Sequence, residues 1–288
     1  MASKNIIILY HADCPDGFGG AFAAWKKFGN KAEYIPLGYG DSLSPGLKNK
    51  EIYIVDFSLQ KKELLKLIKN NKRVTGIDHH ASSEKETKLT YKYSYSNKNS
   101  GAVLAWKYFH PKKEIPKMFK FIERIDLGIY RDEIAKTAGV LIESYSFDFK
   151  EWNILLNDFN NPKKLKALLG KGKAILAYEN VLIKDIVQSA KLVKIAGHKA
   201  YAIGLPKLPI NFKSKIALSL MEKGVPLAIL WRTHGKTISV SLRSGNAVNA
   251  FKIAQKYGGG GHKQSAGFSI PSDKPLPWRN VDSIPKKR

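Results

Sequence analysis

Three short apolar runs, each closed by an acid or an imidazole, constrain the fold of this chain more than any other feature. Residues 6–10 lead into His11, Asp13 and Asp16; residues 51–55 lead into Asp56; residues 73–77 lead into Asp78, His79 and His80. Runs this short and this apolar read as strands buried on both faces. Between them lie helical patterns, one over residues 17–28 with small and aromatic faces and an amphipathic one over 59–69. Strands alternating with helices predict an α/β fold, a parallel sheet with flanking helices on both faces. In such sheets ligands sit beyond the carboxyl ends of the strands. The polar residues that follow the three runs are therefore expected to meet at one sheet edge.

The remainder changes character. From residue 100 to 187 the pattern is mostly helical, strongest over 100–109, 116–126 and 161–187, where Asn161-Pro162 reads as a helix start. A second, smaller α/β unit begins near Lys191, with strands expected at 199–204, 226–231, 237–242 and 267–270 and helices at 212–222 and 248–257. The expected division is a first domain over residues 1–188, a second over 189–272, and a basic, Pro-containing tail over 273–288 read as an extended arm.

Composition narrows the function classes. A chain of 288 residues favours two domains, and 43% hydrophobic residues suffice for a packed core. No apolar run approaches the roughly 18 residues of a membrane span. The apolar run at 6–9 is too short for a signal-peptide core, so a cytoplasmic protein without membrane partners is expected. Cys14 is the only cysteine, so no internal disulfide and no thiolate zinc site are expected. Lys and Arg total 49 against 24 Asp and Glu, a net charge of +25. Such an excess draws polyanions. The plainer alternative is a Lys-rich solvated surface, and the preponderance of Lys over Arg argues against dedicated base readout.

The clusters carry the chemistry. Carboxylates and imidazoles suit Mn²⁺, Mg²⁺ or Zn²⁺, and Gly17, opening a helix, offers backbone N–H groups to a phosphate. Alone, the His11–Asp16 loop is equally a set of caps and turns, and Asp56 is equally a strand end before a helix cap at Ser58. Asp78-His79-His80 is more specific, with three consecutive metal-capable residues closing an apolar strand. Convergence of all three segments would suit two divalent ions roughly 3.5–4 Å apart, sharing a bridging carboxylate and needing no nucleophilic Ser or Cys. Trp106, Trp152 and Trp231 lie in apolar patterns and are expected in the core; His110, His198 and His234 have no clustered partners and are expected at the surface.

These residues resemble the DHH phosphoesterase superfamily with a C-terminal DHHA1 domain, the oligoribonuclease and RecJ-like group. The pattern His11…Asp16, then Asp56, then Asp78-His79-His80 is similar to its first three motifs, and Asp126 in Glu123-Arg124-Ile125-Asp126-Leu127 to its fourth. The segment Gly258–Gly261 with His262, between Ser241-Leu242-Arg243-Ser244 and Ser265-Ala266-Gly267-Phe268, resembles the DHHA1 substrate-binding domain. The resemblance implies a metal-dependent, Mn²⁺-using hydrolase or exonuclease with two ions, Mg²⁺ being the alternative, and a cleft between its domains. It implies metal ligation by His11, Asp13, Asp16, Asp56, His79 and Asp126, catalysis by His80 and Asp56, and substrate binding by Arg243, Gly259, Gly260, Gly261 and His262. The implied substrate is a short oligonucleotide, a nucleotide or single-stranded nucleic acid. Alternatives are a small-nucleotide phosphatase, a cyclic dinucleotide phosphodiesterase, or a non-catalytic nucleic-acid-binding relative. One position departs from the pattern. Many relatives carry a ligating Asp where this chain has Cys14, so Asp13 serves in its place, or the first site has fewer ligands and holds its metal weakly, or Cys14 ligates as a thiolate, softer than Mn²⁺ prefers.

Overall fold

The computed structural model describes residues 4–38, 41, 43, 46–128, 132–208, 210–261 and 263–281. The chain divides into two compact units, Met1–Ala177 and Tyr178–Arg288.

The first unit opens with β1 (Ile6–His11), α1 (Pro15–Phe28), β2 (Ala32–Leu37), β3 (Glu51–Val55), α2 (Lys61–Asn70), β4 (Arg73–Asp78), α3 (Glu84–Lys88) and β5 (Lys92–Tyr95). The helices α4 (Gly101–Phe109), α5 (Lys117–Asp126), α6 (Glu133–Glu143) and α7 (Phe149–Asn160) follow, and α8 (Pro162–Ile186) continues past the division between the units. The five strands form one parallel sheet in the order β2-β1-β3-β4-β5. Side chains alternate across a strand, and the apolar runs supply both faces. Ile8, Tyr10, Tyr53, Val55 and Ile77 pack on one side with residues of α1, α4, α5 and α7. Ile7, Leu9, Ile52, Ile54 and Val74 pack on the other with Leu64 and Leu67 of α2. Trp152 of α7 is fully buried, its ring edge-on to Phe18 at 4.8 Å and to Phe22 at 5.9 Å.

In the second unit come β6 (Lys191–Ile195), β7 (His198–Gly204), α9 (Ile210–Met221), β8 (Leu227–His234), β9 (Thr237–Ser244), α10 (Ala250–Gln255), β10 (Gly260–Gly261), β11 (Ser265–Pro271) and β12 (Arg279–Asn280). Its sheet runs β10-β11-β9-β8-β7-β6-β12, with β7 and β8 parallel and the other pairs antiparallel. One face packs on α10 through Leu227, Ile229, Val240, Leu242 and Ile253; the other packs on α9 through Ala228, Leu230, Ile216 and Leu220.

Several expectations are corrected. β2 and β5 carry no apolar run, because as edge strands they bury little; β2 even contains Pro36, tolerated where one ladder is missing. The arm expected over 273–288 is partly built into the sheet: Arg279 and Asn280 pair with Lys194 and Val193, and Leu276 and Trp278 pack on the core. His110 is buried, not superficial, and donates from Nε2 to the Ala23 carbonyl at 2.9 Å. Trp106 and Trp152 are buried and Trp231 is half-buried. Among the described residues no helix is long and apolar enough to cross a membrane.

Trp152→Ala empties the centre of the first core and is expected to lower stability by about 3–5 kcal/mol, read from the midpoint of urea unfolding followed by circular dichroism; an unchanged midpoint would contradict this packing.

Candidate metal centre

The parallel sheet brings the acids and imidazoles together. β1, β3 and β4 are neighbours running in one direction, so His11, Asp56 and Asp78-His79-His80 emerge at the same edge. Asp16 sits in the first turn of α1 and Asp126 closes α5. Asp16 is oriented by the start of α4: its oxygens accept from the backbone N–H of Gly101 at 2.7 Å and of Ala102 at 2.9 Å. A carboxylate at a helix N-terminus satisfies donors that have no intrahelical partner.

Two imidazoles flank a central carboxylate. His79 Nε2 lies 3.3 Å from Asp56 Oδ1, 3.3 Å from Asp126 Oδ2 and 3.8 Å from Asp16 Oδ2. On the other side, His11 Nδ1 is 3.5 Å from Asp56 Oδ2, and Cys14 Sγ is 3.3 Å from His11 Nδ1 and 3.6 Å from Asp56 Oδ2. Among the described residues three sets therefore have metal-ligand spacing: His11, Cys14 and Asp56; Asp56, His79 and His80; and Asp16, His79 and Asp126. Asp56 belongs to two of them.

The electrostatics suit a cation. Asp16 and Asp56 are buried, 3% and 2% exposed. Burial and the charges of Asp56 and Asp126 push Asp16 well above the carboxylate range, and burial with the Asp56 charge pushes Asp126 up to about 6. Burial would raise Asp56 too, but the imidazoles of His11 and His79 and the charge of His80 hold it well below that range. Asp56 Oδ1 and His79 Nε2 are both buried without a hydrogen bond, although they face each other. Buried polar atoms seldom go unsatisfied, and a cation that takes a lone pair from each resolves the conflict. The donor set of carboxylate oxygens and imidazole nitrogens fits divalent ions.

Asp78 has a different job from its two successors. It is fully buried and accepts from the backbone N–H of His79 at 2.7 Å and of His80 at 3.2 Å, from the Ser83 hydroxyl, and from His80 Nδ1 at 2.8 Å. Burial opposes a charge on His80, but the Asp78 hydrogen bond and the Asp56 charge prevail and raise its imidazole to about 9. Asp56 itself adopts a left-handed backbone with φ of 66°, an uncommon conformation that clusters at functional sites. The chain around it is close: a Cβ on Gly101 would fall 2.6 Å from Asp56 Oδ1. Glu123 secures the approach to α4 by accepting from the Asn99 amide at 2.8 Å and the Ser100 N–H at 3.2 Å. Gly101, Ser83 and Glu123 escape sequence reasoning; the only trace is the helix start at Ser100, since close approach is a tertiary property.

Of the residues expected in the site, His11, Asp16, Asp56, His79, His80 and Asp126 stand together. Asp13 joins none of the three sets; it is exposed in a left-handed turn with φ of 59°. Cys14 stands in its stead. In the second unit, Arg243 lies on β9 and donates to the Leu242 carbonyl at 3.1 Å. Gly259 and Gly261 abut β11, where a Cβ would come within 2.1 Å of Gly267 O and 2.6 Å of Ser265 O, so their smallness is required locally, with or without a ligand. Among the described residues no close neighbour constrains Gly260, and His262 lies outside them. Beside His80 in the first unit is an open pocket of ≈ 400 Å³ bordered by Phe57, Ser58, Gln60, Lys61, Ser82 and Ser83.

Comparison with known proteins agrees with this architecture. The model of the DHH family N-terminal domain matches residues 5–129, and that of the DHHA1 domain matches residues 214–286. The uncharacterized protein R106 of Acanthamoeba polyphaga mimivirus is 27% identical over 301 residues, covering 96% of this chain and 70% of that one. Among solved structures, the pGpG-specific phosphodiesterase PggH from Vibrio cholerae is 13% identical, with 93% of this chain and 94% of that chain covered and a TM-score of 0.51. RecJ in complex with Mn²⁺ from Thermus thermophilus is 15% identical, with 92% and 49% covered and a TM-score of 0.48. At such identities the PggH likeness is one of fold.

The raised Asp126 carboxyl gives a signed prediction. Its folded value of about 6 exceeds the ordinary 3.8. The folded chain therefore holds this proton more tightly than the unfolded chain, and the stability present below about pH 4 is lost as the pH rises through about 6. In chelator, the melting temperature of Asp126→Asn is expected to fall less than that of wild type from about pH 4 to about pH 7, and saturating Mn²⁺ to reduce the wild-type fall. Superimposable melting profiles would contradict the crowding of carboxylates.

Proposed function

The chain belongs to the DHH family, with both its N-terminal domain and a DHHA1 domain, and from there we propose that it is a metal-dependent phosphoesterase cutting phosphodiester bonds in short oligonucleotides or single-stranded nucleic acid. The observation that carries the reading is Asp56, one oxygen facing His11 and Cys14 and the other facing His79 and His80. Such a position supports reading Asp56 as a carboxylate that two ions would share. His11 and Asp56 would hold one; Asp16, Asp56, His79 and Asp126 would hold the other, Mn²⁺ being the first choice and Mg²⁺ the alternative. Ions held there supply Lewis-acid polarisation of a phosphoryl oxygen and activation of water at neutral pH.

The chain's own residues do the rest. His80, its ring held by Asp78, would stand as an electrostatic or hydrogen-bonding partner where a phosphoryl oxygen gains negative charge during cleavage. Asp78 and Ser83 act through His80 by fixing its ring. The pocket bordered by Ser58, Gln60, Lys61 and Ser82 has a volume suited to a nucleotide-sized group. The net charge of +25 favours encounter with a polyanion. Arg243, Gly259, Gly260, Gly261 and His262 are assigned to substrate binding by the second unit.

A second reading, a phosphodiesterase for dinucleotides or a phosphatase for small nucleotides, draws on the same pocket and on the fold shared with the pGpG-specific enzyme. Substrate length separates the two. Incubation of end-labelled oligomers of graded length with Mn²⁺ is expected to release mononucleotides, and chelator to stop it. Turnover confined to dinucleotides would favour the second reading, and no release at any length with any divalent ion would refute both.

Asp56→Ala is expected to lower kcat/KM by at least about a thousandfold and to abolish the thermal stabilisation by Mn²⁺; retention of both would contradict the bridging role. Arg243→Ala is expected to raise KM several-fold with little change in kcat, the signature of lost uniform binding, whereas a fall in kcat alone would contradict its assignment.

A further inference from the structure

We propose that Cys14 is a metal ligand, closing with His11 and Asp56 a site that prefers a thiophilic divalent cation such as Zn²⁺ or Co²⁺ over Mn²⁺. The inference rests on the two-ion reading above and concerns the half of that centre on the β1 side. The chain offers two candidates for this position, and the structure separates them. Asp13 is exposed and outside every ligand set, while Cys14 Sγ lies within one.

The geometry is that of a coordination face. Sγ–Nδ1, Sγ–Oδ2 and Nδ1–Oδ2 are 3.3, 3.6 and 3.5 Å. A tetrahedral ion with bonds of about 2.3 Å to sulfur and about 2.0–2.1 Å to nitrogen and oxygen sets its ligand atoms about 3.4–3.6 Å apart. Two of the three edges fall in that range before any side chain moves, and the Sγ–Nδ1 edge, at 3.3 Å, is slightly shorter. The Asp56 carboxylate that completes the face is 2% exposed, and its other oxygen, Oδ1, faces His79 in the second half of the centre.

Cys14 is also the N-cap of α1, its sulfur accepting from the Gly17 N–H at 3.2 Å. The cap holds the sulfur toward His11, while burial and the charges of Asp56 and Asp16 push its thiol well above the ordinary range, so that only a bound cation would make it a thiolate. On binding, the thiol proton passes to solvent and the thiolate becomes the ligand. A thiolate is a soft donor that selects Zn²⁺ or Co²⁺ over Mn²⁺, whereas a carboxylate in its place is a hard one. The other half of the centre, Asp16, His79 and Asp126, offers only oxygen and nitrogen, so the two positions differ in the ion they prefer.

The test is spectroscopic and independent of turnover. The full chain is stripped with chelator and titrated with Co²⁺. Wild type is expected to develop a sulfur-to-Co²⁺ charge-transfer band in the near ultraviolet, saturating at one equivalent per chain. Cys14→Ser retains a capping oxygen and is expected to lose the band while keeping its helix content. Cys14→Asp is expected to lower the Zn²⁺-over-Mn²⁺ affinity ratio by about tenfold or more. Co²⁺ binding without the band in wild type would overturn the inference and leave the two-ion reading standing, as would a band that persists in Cys14→Ser. Absence of any Co²⁺ or Mn²⁺ binding would overturn both.

Discussion

Burial of several carboxylates around one point is the constraint on which the rest of this structure turns. Asp16 and Asp56 are almost wholly withdrawn from solvent, and Asp126 approaches the same imidazole. Like charges so placed raise one another's proton affinity, as Asp16 and Asp126 show, and buried charge without a partner is costly. His11, His79 and His80 offset part of that cost. Divalent cations would offset the remainder, which is why the arrangement makes sense as a metal centre and little sense as a hydrophobic domain's filler.

The fold delivers this cluster by ordinary means. A parallel sheet sets the carboxyl ends of β1, β3 and β4 side by side, and alternation along each strand spends the apolar residues on two cores while the residues past the strand ends remain available. Precision then comes from groups outside the three sets. Asp78 locks the loop after β4 and the ring of His80; the first N–H groups of α4 aim Asp16; Gly101 lets α4 approach Asp56 more closely than any larger residue would permit. Such supporting contacts commonly govern a metal site as strongly as its ligands.

Much of this was legible in the sequence because the site residues directly follow apolar runs, and period and position together told where they would lie. His11, Asp56 and His79 needed only that rule. Asp126 did not follow from it, since an acid at a helix end reads as a surface residue, and only the family pattern singled it out. Asp78, His79 and His80 are alike as letters; their separate roles emerge only from burial. The edge strands β2 and β5 left no apolar signature, because Glu33, Pro36, Lys92 and Ser94 sit where no second neighbour demands burial. The pairing of Arg279 and Asn280 with β6 was hidden within a Pro-containing, basic stretch. Asp13 stands outside the three sets in a left-handed backbone conformation, which residue type permits but does not announce.

Anomalous diffraction from crystals of the full chain grown with Mn²⁺ and Zn²⁺ would test the central claim most directly. Two peaks on opposite sides of the Asp56 carboxylate, roughly 3.5–4 Å apart, are the result expected of a shared bridging ligand. Peaks elsewhere on the surface, with neither one in contact with Asp56, would contradict it.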